Sequence, residues 1–212
     1  MSSENRAKLE EKYQSFISSF PKVTAIDAKT LHTQLENSAD KPTLVDVRTP
    51  EEQQVSMIPG AIRRDIFEAH KEEYRTTPLV AYCTVGFRSG KYAQQLMEEG
   101  FNVKNFKGSI IAWTQEGFPL VKDTSSNEPT KRVHIFGEQW KLQGEGYDPV
   151  WFAKPKSYFE MFRTLIPQRF ARSRKSIKPS SHRSIWTALA FILSSEKHFS
   201  LGHFQAVEYV EK

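Results

Sequence analysis

The stretch that most constrains the fold is Pro78-Leu79-Val80-Ala81-Tyr82, followed by Cys83-Thr84-Val85-Gly86-Phe87-Arg88-Ser89. The first five residues form a short, apolar, partly β-branched and aromatic run, which suits a buried strand. Residues 89–100 carry a helical pattern that ends at Gly100, a natural helix stop. The cysteine is thereby placed at a strand-to-helix turn, where unpaired N–H groups and the positive end of the helix dipole converge. Such a turn favours a thiolate and any anion bound beside it.

Cys83 is the only cysteine among the 212 residues. A free thiol of pKa near 8.5 is only about 3% ionised at pH 7, whereas helix N-termini and nearby cations lower that pKa to roughly 3.5–7.5. Arg88 lies five positions on and can curl back over the same pocket. Most lone cysteines are small buried hydrophobes. Here the preceding strand and the Gly86, Arg88 and Ser89 that follow favour an activated nucleophile. A single cysteine leaves no internal disulfide, fits a reducing compartment, and provides no resolving thiol. Any sulfur-bound intermediate must therefore be discharged to another molecule.

Four segments together resemble the rhodanese-like domain family. Residues 82–89 are similar to its active-site loop, and Leu44-Val45-Asp46-Val47-Arg48 with Glu51-Glu52 to its "D-V-R…E" segment. Ile58-Pro59-Gly60-Ala61 matches "I-P-G-A", although Ser56-Met57 stands where Gly-His is usual. Lys107-Gly108-Ser109 through Trp113 matches the closing "G-G…W" region, with Ser109 in place of the second glycine. The resemblance covers residues 22–120.

The chain around these motifs alternates strands and helices, which implies an α/β domain with a small parallel five-stranded sheet and helices on both faces. Strands are expected at residues 22–26, 43–47, 61–62, 78–82 and 102–106. Leu9, Tyr13, Phe16, Ile17 and Phe20 at helical spacing predict an N-terminal helix docked on the domain. Asp27 is a candidate N-cap, and residues 65–74 read as a charged helix with Ile66, Phe67 and Ala69 inward. After a polar linker at 122–130, residues 131–136 alternate like a strand. Trp140, Tyr147, Trp151 and Phe152 are expected to pack on the domain. The organisation expected is a helical segment at 1–21, the domain at 22–121, a packed extension at 122–153 and an irregular tail at 154–212.

The net charge of +5 belongs to that tail. Residues 1–153 hold 19 Lys+Arg against 21 Asp+Glu, and residues 154–212 hold 11 against 4. The basic tail is read either as a surface for an acidic partner, an anionic membrane or RNA, or as a partly disordered extension. The longest apolar run, residues 185–193, is about half a membrane span. No apolar run follows a basic region near the N-terminus, which argues against a secretory signal, and Glu4, Glu10 and Glu11 argue against a mitochondrial presequence, so a cytoplasmic protein is expected.

The resemblance implies sulfur transfer. Cys83 would attack a small anionic sulfur donor such as thiosulfate, hold a persulfide, and pass the sulfur to a thiol, cyanide or protein acceptor. The amides of Thr84, Val85, Gly86, Phe87, Arg88 and Ser89 would stabilise the terminal sulfur. Arg88 would bind the donor's anion and Ser89 would cap the helix. Asp46 and Arg48 would pair to support the loop. No cofactor or metal is implied, and His134 has no ligand-type neighbours in sequence. Two other possibilities stay open. One is a rhodanese-like binding module without turnover. The other is a cysteine phosphatase or arsenate reductase, although only four residues separate Cys83 from Arg88 where related phosphatases place five.

Overall fold

The computed structural model describes residues 3–36, 41–122 and 127–152. The expected tail at 154–212, with its basic run and its apolar stretch at 185–193, lies outside the described residues. Among those described, no helix is long and apolar enough to cross a membrane.

A five-stranded sheet runs in the order β1-β5-β4-β2-β3, with β1 at Ala25–Ile26, β2 at Thr43–Asp46, β3 at Ile62–Arg63, β4 at Leu79–Tyr82 and β5 at Val103–Phe106. All four pairings are parallel. β4, the apolar run before Cys83, is buried throughout and pairs on both edges. One sheet face is packed around Leu44, Val80, Tyr82, Phe106, Ile110 and Trp113. The other is packed around Val45, Ala81, Phe67, Ala93, Leu96 and Phe101. That alternation along β2 and β4 is what helices on both faces require.

Between the strands lie α2 (Ala28–Glu36), α3 (Pro50–Val55), α4 (Arg64–His70), α5 (Phe87–Glu98) and α6 (Ser109–Gln115). Asp27 accepts the Thr30 N–H at 3.0 Å at the start of α2. α4 is shorter than the predicted helix and continues as a 3-10 turn at Lys71–Tyr74. Only Phe67 of its predicted inward trio is buried; Ile66 and Ala69 face solvent.

The N-terminal helix α1 spans Ser3–Gln14, and a 3-10 turn at Ile17–Ser19 breaks the predicted longer helix. Leu9, Tyr13 and Phe20 are buried, while Ile17 is exposed. Beyond the sheet, β6 (Leu120–Val121) pairs with β7 (Pro129–Thr130), and β8 (Arg132–His134) runs parallel to β9 (Asp148–Val150). Val133, Ile135, Leu142 and Tyr147 of this extension join the first core. Of the aromatics predicted to pack on the domain, Tyr147 is buried and Phe152 stacks on the His134 ring at 4.6 Å with its other side open, while Trp151 is exposed.

Candidate active site

β4 delivers Cys83 to the C-terminal end of the sheet, where open α/β folds place their ligands. The chain then turns through Gly86, whose φ of 103° is left-handed. A Cβ there would also come within 2.8 Å of the Tyr13 ring, so the backbone angle and the available space both call for glycine. That turn starts α5 at Phe87, two residues earlier than the sequence suggests. Ser89 is consequently not the helix cap; it sits within the first turn. Its hydroxyl donates to Asn105 Oδ1 at 2.7 Å and lies 3.5 Å from Cys83 Sγ.

The sulfur itself accepts the Gly86 N–H at 3.2 Å. Burial is the largest influence on the thiol and pushes its pKa up. The Arg88 guanidinium, the Ser89 hydroxyl and the amides of Ser89 and Gly86 together outweigh it, and the thiol lies below its ordinary value. Thr84 and Val85 are buried within the loop, and Phe87 is half-buried.

Arg88 does not stand open toward an incoming anion. Its Nη1 and Nη2 grip the two Glu52 carboxylate oxygens at 2.7 and 2.8 Å, and Nη2 also reaches Thr84 Oγ1 at 3.1 Å. The guanidinium lies 4.7 Å from the centre of the Phe136 ring. Its Nε is buried without a partner. This departs from the predicted anion-binding role. The physical reason is that a guanidinium this buried needs a carboxylate at hand.

Glu52 reaches that position through local sequence. Thr49-Pro50-Glu51-Glu52 makes a capping box at the start of α3: Thr49 Oγ1 accepts the Glu52 N–H and Glu52 Oε2 accepts the Thr49 N–H. The same carboxylate then serves Arg88 and Thr84 and lies 3.1 Å from His134 Nδ1. That histidine contact has ion-pair distance but not hydrogen-bond alignment. Burial alone would raise the Glu52 pKa. Arg88, His134 and Arg48 overcome that and hold it well below the usual carboxylate range.

Asp46 and Arg48 form a second buried pair. Arg48 Nη2 meets Asp46 Oδ2 at 2.6 Å and Nε meets Oδ1 at 3.0 Å. The Tyr82 hydroxyl donates to the same carboxylate at 2.7 Å, and Arg48 Nη2 also donates to the Ser56 carbonyl. These contacts tie the ends of β2 and β4 to the segment before β3.

Asn105 was not singled out by the sequence, and Ser109 was marked only as a departure from the family pattern. Asn105, at the end of β5, donates to the Gly86 carbonyl at 2.9 Å and to the Tyr13 hydroxyl at 3.1 Å. Ser109, where the family pattern has glycine, is held at φ 50°. Its hydroxyl accepts the Cys83 N–H and donates to the Phe106 carbonyl, both at 3.0 Å. These bonds help to offset a backbone strain on the order of 1–3 kcal/mol.

The thiol is covered, with Cys83 only 1% exposed. Tyr13 lies against Gly86, Phe16 meets Phe87 edge-on at 5.3 Å, and Trp140 lies 6.4 Å from Phe16. A cleft of about 240 Å³ beside α1 reaches Tyr13 and Gly108, and Cys83 is not among its lining residues. Among the described residues, no cluster of three or more acidic, histidine or cysteine side chains could hold a metal ion.

A parallel α/β sheet that presents one loop cysteine at its C-terminal edge, under a helix N-terminus, defines a class of domains built around a cysteine loop. Comparison with known proteins narrows the class. The model of the rhodanese-like domain matches residues 27–116. A sulfurtransferase of Allochromatium vinosum is 36% identical over 103 residues, covering 47% of this chain and 95% of that protein. This chain belongs to the rhodanese-like domain family. A tRNA uridine(34) hydroxylase of Staphylococcus saprophyticus is 28% identical over 115 residues, spanning 50% of this chain but only 35% of the hydroxylase. A crystal structure of a rhodanese-related protein from Thermoplasma volcanium is 27% identical, with a TM-score of 0.42, over 47% of this chain and 99% of that one.

Proposed function

We propose that this chain is a sulfurtransferase that carries sulfane sulfur as a Cys83 persulfide. The observation that carries the reading is the Gly86 N–H on Cys83 Sγ, with the Ser89 hydroxyl and the Arg88 charge acting on the same atom. A lowered thiol pKa raises the fraction of nucleophilic thiolate, and the same donors suit the terminal sulfur of the product. With thiosulfate as donor, the thiolate attacks the outer sulfur, the S–S bond of the donor breaks, and sulfite leaves. An acceptor thiolate or cyanide then takes the outer sulfur and restores the Cys83 thiolate.

The support is physical as well as familial. The loop offers the sulfur a hydrogen-bonded anion site, and the cysteine is the only one in the chain. Cys83 is 1% exposed, so its cover has to open for a donor to reach the sulfur. A phosphatase reading needs a guanidinium free to clamp a phosphate, and the hold of Glu52 on Arg88 argues against it.

Intact-mass measurement after incubation with a sulfane-sulfur donor tests the proposal. Wild type should gain one sulfur atom and lose it to added cyanide, whereas Cys83→Ser should gain none. Unchanged wild-type mass under every donor would leave the chain a binding module.

A further inference from the structure

We infer that Asn105 is a positioning residue for the reacting sulfur: its side-chain oxygen competes with Cys83 Sγ for the single proton of the Ser89 hydroxyl. The inference rests on the reading of Cys83 as the reacting thiol, and it extends the site to a residue that touches no substrate.

A serine hydroxyl has one proton to give. Ser89 Oγ has two acceptors within reach, Asn105 Oδ1 at 2.7 Å and Cys83 Sγ at 3.5 Å. Ser89 and Asn105 are fully buried, so neither can turn to bulk water instead. The orientation of the Asn105 amide follows from its other contacts. Its Nδ2 lies 2.9 Å from the Gly86 carbonyl, which can only accept, and 3.1 Å from the Tyr13 hydroxyl. A flipped amide would set oxygen against oxygen at Gly86, so Oδ1 faces Ser89. Ser109, the other hydroxyl near the sulfur, is no substitute. It donates to the Phe106 carbonyl at 3.0 Å, and its oxygen stands 4.0 Å from Sγ.

With its proton on Asn105, Ser89 turns lone pairs toward the sulfur, which suits a neutral S–H and not a thiolate. When the thiol ionises, the Ser89 O–H rotates onto Sγ and Asn105 Oδ1 loses that partner. A hydrogen bond to a charged group is stronger than one between neutral groups, so the exchange favours the thiolate, but only by the difference between the two. Asn105 thus opposes ionisation through Oδ1. Through Nδ2 it also pins the Gly86 turn, whose N–H donates to the same sulfur. Tyr13 of α1 helps to hold the amide, and it lies outside the matched residues 27–116. The N-terminal helix therefore contributes to the site.

The experiment is a double-mutant cycle on the full chain, reading the pH midpoint of Cys83 alkylation by iodoacetamide from intact mass. Ser89→Ala should raise the midpoint in both backgrounds. The rise should be larger in Asn105→Ala than in wild type by about one pH unit, the scale of one hydrogen bond to a charged group. The cycle cancels any general loosening of the loop that Asn105→Ala brings. An equal or smaller rise in Asn105→Ala would overturn the inference. A second measurement needs no Asn105 variant, should that variant not fold. In the wild-type chain with isotope-labelled asparagine, the Asn105 side-chain carbonyl resonance should shift with the same midpoint as Cys83, and Ser89→Ala should abolish the shift. A resonance that does not move, or that moves as far in Ser89→Ala, would overturn the inference as well. Neither overturning result alters sulfur gain by the wild-type chain, so this inference and the transfer reading fail separately.

Discussion

Two buried carboxylate–guanidinium pairs lie at the same end of the sheet and have opposite relations to the chemistry. Asp46–Arg48 is completed by the Tyr82 hydroxyl and the Ser56 carbonyl, groups that belong to the scaffold. Glu52–Arg88 is completed by Thr84 of the loop, and is flanked by His134 and Phe136 of the extension. The first pair fixes strands; the second sets the charge felt by Cys83. Similar ion pairs therefore differ in function through what surrounds them, not through their own chemistry.

Single substitutions can break that comparison. Asp46→Ala leaves Arg48 buried and unpaired, and should cost about 3–5 kcal/mol in denaturant unfolding. Under conditions where it folds, its Cys83 alkylation should keep the wild-type pH midpoint. Glu52→Gln should destabilise on a similar scale but also lower that midpoint, because Arg88 then acts on the sulfur uncompensated. Equal midpoints in the two variants would erase the distinction.

Acid sharpens the same contrast. The folded-state pKa of Glu52 is depressed, so the unfolded chain binds its proton first as pH falls. The stability this group contributes is present above the unfolded value of about 4.3 and is lost as pH falls toward the folded one. Unfolding free energy measured from pH 5 downward should fall less steeply in Glu52→Gln than in wild type.

Smaller effects should come from the cover. Phe136→Leu removes a ring from Arg88 and should cost about 1 kcal/mol, the scale of a cation–π contact. Phe16→Ala should speed iodoacetamide reaction with Cys83 several-fold at fixed pH, with an unshifted midpoint. An unchanged rate would show that the aromatic cover does not limit access.

Much of the scaffold was legible in the sequence because its signals are local. The β4 run, the turn at Gly86 and the Asp46–Arg48 neighbours each fall within a few residues. Glu52 was legible only as part of a family motif, because its grip on Arg88 spans 36 positions. His134 reaches Glu52 from a strand outside the matched domain, and no local pattern marks it. Ser89 was misassigned as a cap because Gly86 takes a left-handed turn and starts α5 early. Periodicity alone does not place such a start.

The central claim is that the loop holds Cys83 as a thiolate despite its burial. The most direct measurement is the pH dependence of its alkylation by iodoacetamide, followed by mass on the full chain. The account predicts a midpoint clearly below the free-cysteine value of about 8.5, and a higher one in Ser89→Ala. A wild-type midpoint at or above that of free cysteine would mean that burial wins and the sulfur is not activated.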